Sequence, residues 1–158
     1  MRNLLFSVLA ALGLGLSLSV YAAATHSANA SAGPADARQL VAFPPPLRAR
    51  FLGNMRGHLA SLTRIEAALA DGQFDTVADL AEQQLGMTSM ARHGAGTLGK
   101  YMPAGMKRIG SGMHHAASRL ALTAQNASVT SDTNAVLTAL TDVTSRCVAC
   151  HAAYRLHR

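Results

Sequence analysis

The chain has 158 residues, a formal charge of +6, 49% hydrophobic residues and only 4% aromatic residues, a length that holds one domain plus a targeting segment. With no tryptophan and no run of Lys or Arg, it lacks the basic, aromatic-rich signature of nucleic-acid binding. No Ser/His/Asp arrangement or carboxylate pair stands out for hydrolytic chemistry, so no enzyme reading arises.

Residues 1–24 read as a secretory signal: Arg2 supplies the positive start, Leu4 to Val20 the apolar run, and Ala22-Ala23-Ala24 an A-x-A cleavage site. Gly13, Gly15 and several serines interrupt the run, which favours removal over a permanent membrane anchor. Loss of Arg2 lowers the formal charge from +6 to +5, a mild basic surplus that suits an acidic partner surface. Residues 25–42, rich in Ala, Ser, Asn and Gly, read as a flexible leader in which His26 is an exposed tail histidine.

The rest, residues 43–158, has helical periodicity and no strand pattern. Phe43-Pro44-Pro45-Pro46 opens a first helix to Ala70, because proline is tolerated in a first turn. Its seam is Phe51, Met55, His58, Leu62, Ile65 and Leu69, in alternating steps of four and three. Asp71-Gly72 ends it. A second helix is expected from Phe74 to about Arg92, then a glycine-rich connector to Pro103. The third runs from about Ala104 to Asn126, its first half weakened by glycines. Ser131 or Asp132 caps a fourth, which continues to about Leu156 with Val136, Leu140, Val143, Cys147 and Cys150 at helical spacing. Four such helices with short connections predict an all-α, antiparallel four-helix bundle, an architecture that places cofactors between facing helices.

The chemistry-bearing stretch is Cys147-Val148-Ala149-Cys150-His151. C-x-x-C-H is the attachment signature of haem c: two thiols add to the porphyrin vinyl groups, and the adjacent imidazole becomes an axial iron ligand. Residues three apart share a helix face, so Cys147 and Cys150 can reach one macrocycle edge. A structural zinc site needs four ligands, and the chain has no further cysteine. A thioredoxin-like motif belongs at a helix start within a βαβ unit, whereas this one lies near a helix end. Thioether attachment also explains how an exported protein carries two cysteines without a disulfide, and the compartment this suggests is a bacterial periplasm.

With Ala152-Ala153-Tyr154-Arg155 following the motif, residues 43–158 resemble the class II c-type cytochromes, the cytochrome c′ family. The resemblance implies that Cys147 and Cys150 carry the thioethers, that His151 is the proximal iron ligand and that Arg155 lies beside its imidazole edge or a propionate. Low-spin members of that family place a methionine about sixteen residues before the loop after the first helix. Counting back from Gly72 lands one residue from Met55, which is similar to the six-coordinate branch. Dimerisation, common in the family, is implied by analogy.

Met55 is therefore the favoured sixth ligand, since His/Met ligation raises the potential and suits electron transfer. His58, one turn on, is the alternative ligand, or a donor to a propionate or buried water. Arg48, Arg50, Arg56, Arg146 and Arg155 are candidate propionate partners. Met87, Met90, His93, Met102, Met106, Met113, His114 and His115 form a Met/His-rich middle whose ligand types also suit copper. The expected function is a periplasmic monohaem, one-electron carrier meeting redox partner proteins. The alternatives are a five-coordinate haem protein that binds or scavenges small gases, and a copper-handling module.

Overall fold

The structure, a computed structural model, describes residues 36–157. The signal segment, His26 and the first part of the expected leader lie outside the described residues.

Five helices and two short strands make up this part: β1 (Gln39–Val41), α1 (Pro45–Ala70), α2 (Phe74–Leu80), α3 (Ala95–Leu98), α4 (Ala104–Thr130), α5 (Thr133–Ala153) and β2 (Tyr154–Leu156). The described chain is all-α apart from that one strand pair. Pro45 and Pro46 occupy the first turn of α1, where no backbone donor is needed. Gly72 ends it in the left-handed region at φ 68°. There the Gly72 and Gln73 amides donate to the carbonyls of Leu69 and Ala68, the paired closure that glycine makes at a helix end. Asp132 caps α5 by accepting from the Ala135 amide at 3.0 Å. Ser131 belongs instead to the end of α4, at φ 60°.

Three expectations change. The second helix stops at Leu80, continues as one π turn over Ala81–Leu85 and gives way to a 3-10 turn over Met87–Ser89. Glu82 holds this reversal: its carboxylate accepts from the Thr88 amide, and its carbonyl accepts from the Thr88 hydroxyl. The connector before Pro103 contains α3 and a further 3-10 turn. Finally, the expected absence of strands fails. Gln39–Val41, placed in the leader, pairs in parallel with Tyr154–Leu156, expected as the end of the last helix. Val41 is buried there, and the Phe43 ring stacks on Phe51 at 5.1 Å. That packing recruits a segment too short to show alternation.

Packing divides the interior in two. The larger cluster joins Ile65 and Leu69 of α1, Val77 and Leu80 of α2, Leu120 of α4, and Val136, Leu140 and Val143 of α5. Ala116, Ala117, Ala121, Ala124 and Ala127 give α4 a low face on which its neighbours close. The smaller cluster joins Val41, Phe43, Phe51, Leu98 and Met106. α5 lies along α4, and α2 bridges α4 and α1, whereas α1 makes far less contact with α4 or α5 directly. That separation opens a cleft. No helix among the described residues is long and apolar enough to cross a membrane.

Candidate functional site

The cleft, of about 560 Å³, lies between α1, the connector at residues 90–102, α4 and the last turns of α5. Its size falls within the roughly 300–1,000 Å³ of cofactor pockets. α1 contributes the face carrying Phe51, Met55, His58 and Leu62, the seam read from the sequence. α5 contributes Arg146, Cys147, Cys150 and His151. The connector adds Met90, His93, Leu98 and Met102, and α4 adds Met106, Ile109, Met113 and His114. The surface of this lining is mainly apolar. The cations, Arg56, Lys107 and Arg146, come from three different helices.

Cys147 and Cys150 are free and half-buried. Cys147 packs against the larger apolar cluster and Cys150 against the smaller, so the two thiols stand where the divided core meets the cleft. Burial raises both thiol pKa values, and at Cys150 the neighbouring Cys147 adds to it. Both are therefore protonated at neutral pH. His151 follows on the last turn of α5, exposed but still lining the cleft. Met55, half-buried across from them on α1, packs against the same small cluster as Cys150.

This donor set fits a covalently held haem: two free thiols and an imidazole on one wall, an apolar cavity of cofactor size, and a soft thioether on the other wall. Arg56 and Arg146, which line the cleft, are suited to carboxylate groups at its edge. Arg146 also pairs with Asp142 at 3.2 Å on its own helix, and the remaining predicted arginines are used elsewhere. Arg48 donates to the His157 carbonyl at 2.9 Å and Arg50 to the Arg92 carbonyl at 3.1 Å. Arg155 is on β2, not among the cleft residues. Its Nε lies 3.6 Å from an Asp36 carboxylate oxygen, buried and without a hydrogen bond. Lys107 lines the cleft and was missed, because nothing in its sequence surroundings separates it from Lys100, the chain's other lysine.

His58 has company that periodicity did not reveal. Its Nε2 is 3.3 Å from His93 Nδ1, and the His114 ring centre lies 5.8 Å away. His93 comes from the connector, which Asn54 secures by donating to the His93 carbonyl at 2.8 Å. Ser89 lies beneath the rings, its Oγ 3.4 Å from Nδ1 of both His93 and His114. Burial holds His58 well below the usual histidine range, at about 4, with His93 and His114 adding repulsion. Burial lowers His93 and His114 as well. Of the Met/His-rich middle, Met90, His93, Met102, Met106, Met113 and His114 reach the cleft, while Met87 and His115 do not line it.

No protein-family model, curated protein or solved structure matches this chain.

Proposed function

We propose that this protein is a periplasmic monohaem c-type cytochrome, a four-helix bundle of the cytochrome c′ type that carries single electrons. The observation that carries the reading is the opening of Cys147, Cys150 and His151 onto a largely apolar cleft with Met55 on its far wall. A haem bound there supplies a one-electron iron couple whose potential follows from its axial ligands and burial. The chain's part is to hold that group at two points of one helix face through Cys147 and Cys150. His151 would ligate the iron, while Leu62, Ile109 and Met113 would keep water from the group. Arg56, and Arg146 beside its Asp142 partner, would pair with the haem carboxylates.

Met55 is the better sixth ligand. Its side chain packs against the same apolar cluster as Cys150, whereas His58 Nε2 is already engaged by His93. A six-coordinate site between rigid helices needs little rearrangement on electron transfer, which suits a carrier meeting redox partner proteins. The gas-binding alternative requires that Met55 stay off the iron.

Visible absorption of the secreted protein, ferric and ferrous, followed by carbon monoxide addition, tests this. A low-spin ferrous spectrum unmoved by carbon monoxide, with a ferric sulfur-to-iron charge-transfer band, is expected. A high-spin spectrum that shifts fully with the gas would overturn the carrier in favour of gas binding, and absence of covalent haem would overturn both.

A further inference from the structure

The carbonyl of His151 is left over where α5 ends. The Tyr154 amide donates to the Cys150 carbonyl, and Tyr154 itself is extended at φ −130° and ψ 147°, so the chain leaves the helix there. The His151 carbonyl is thus one of the last-turn acceptors that a helix cannot satisfy from within. Its donor comes from the opposite end of the described chain. Nη1 of Arg38, 113 positions earlier, lies 3.4 Å from the His151 oxygen. An arginine that donates to the last carbonyls of a helix also suits the negative end of its dipole.

Asp36 aims that guanidinium. Arg38 Nε donates to Asp36 Oδ1 at 2.9 Å and Nη2 donates to Oδ2 at 2.7 Å. Oδ1 also accepts from the Arg38 backbone amide at 3.1 Å, so three bonds tie the two residues into one local turn. With one edge of the planar fork taken by the carboxylate, Nη1 is the group left to point onward. Arg155 Nε, on β2, stands 3.6 Å from the same Asp36 Oδ2 and steadies the carboxylate from the other strand. The strand pair sets the reach. Gln39 is opposite Tyr154 in its register, which brings Arg38 beside the end of α5. At the far end of the pair His157 donates to the Val41 carbonyl, and its own carbonyl accepts from Arg48.

We propose that Arg38 is a positioning residue for His151: its guanidinium, oriented by Asp36, holds the last turn of α5 and so fixes the direction in which the imidazole is presented to the cleft. A helix end is where local opening costs least, and groups behind a ligand histidine set its orientation. The segment before α1 thereby acts on the site from outside the cleft. The proposal rests on His151 being the proximal ligand in the reading above.

Two measurements on the secreted protein test it. Native-state hydrogen exchange at the Tyr154 amide reads the hold on the helix end directly. Proton NMR of the ferric protein reads the haem-methyl shifts, which follow the orientation of the axial ligands. In Arg38→Ala, Tyr154 exchange should quicken by about three- to tenfold, the weight of one net hydrogen bond, and the methyl shifts should move while visible absorption stays low-spin. Arg38→Lys keeps the charge without the fork and should behave like Arg38→Ala. Exposed Arg64→Ala should change neither. Exchange or methyl shifts indifferent to Arg38→Ala would overturn the proposal, and so would full recovery by Arg38→Lys, which would leave charge alone as the cause. Should Arg38→Ala fail to fold, Asp36→Asn keeps the guanidinium but loses its orientation; the same two changes are expected, and their absence would overturn the proposal. Protein without covalent haem whose Tyr154 exchange still quickens in Arg38→Ala would support the hold on His151 while removing the haem reading.

Discussion

Met55 and His58 sit one turn apart on the same face of α1, yet their surroundings give them different chemistry. Met55 packs against the small apolar cluster that Cys150 also borders, while His58 is hydrogen-bonded to His93. In the proposed haem protein, Met55→Ala is therefore expected to turn a low-spin spectrum high-spin and open it to carbon monoxide. The same measurement on His58→Ala should show no change of spin state. Equal effects from both substitutions would refute the assignment. Gly94 is a second residue whose role is local. It stands at φ 74°, and a Cβ there would also meet the Arg50 guanidinium. Gly94→Ala is expected to destabilise the fold by about 1–2 kcal/mol, the cost of a left-handed non-glycine residue. Urea unfolding measures it, and an unchanged midpoint would mean the connector relaxes freely. The C-x-x-C-H motif and the α1 seam were legible residue by residue, because both are local patterns. The His58–His93–His114 meeting was not, since it depends on where the connector crosses α1.

At the scale of elements, the β1–β2 pair ties the segment before α1 to the segment after α5. Its flank carries Asp36, bonded to Arg38 at 2.7 Å and 3.6 Å from Arg155. The hydrogen bonds from Arg38 hold the Asp36 carboxyl well below the usual carboxylate range, at about 2. A carboxyl whose folded pKa is depressed stabilises the fold above its unfolded value, near 3.9, and loses that contribution as pH falls through the folded one. Protection of the His157 amide, which donates to the Val41 carbonyl at 3.1 Å, should therefore drop between pH 4 and pH 2. In Asp36→Asn the pair should already be looser at pH 7 and insensitive to acid. Native-state hydrogen exchange reports both, and constant wild-type protection down to pH 2 would disprove the link. Sequence patterns located the starts of α1, α2, α4 and α5 within a residue or two, through prolines, a cap and periodicity. They overran α2, because the π turn and the Glu82–Thr88 bonds replace a helix that the apolar spacing alone would continue.

Across the whole molecule, the formal charge of +6 and the cleft-lining cations Arg56, Lys107 and Arg146 favour approach of an acidic surface to the cleft. If the protein is the proposed carrier, its second-order rate with an acidic redox partner should fall as ionic strength rises. Lys107→Glu should lower that rate further at low salt while leaving the reduction potential nearly unchanged. Stopped-flow measurements decide this; a rate that climbs with salt would contradict a basic docking face.

Read alone, the sequence determined the helical periodicity, the expectation of an all-α fold, the location of the paired thiols and the seam on α1 that faces them. These are written in short-range spacing, where 3.6-residue periodicity and a five-residue motif suffice. Tertiary structure decided what such spacing cannot encode. It separated α1 from α4 and α5 to leave a cleft, and it paired Gln39–Val41 with Tyr154–Leu156 across the chain. It also brought one histidine from each of three elements within 6 Å of one another. Each of those outcomes depends on side chains far apart in the chain competing for the same buried space, and packing, not periodicity, resolves that competition.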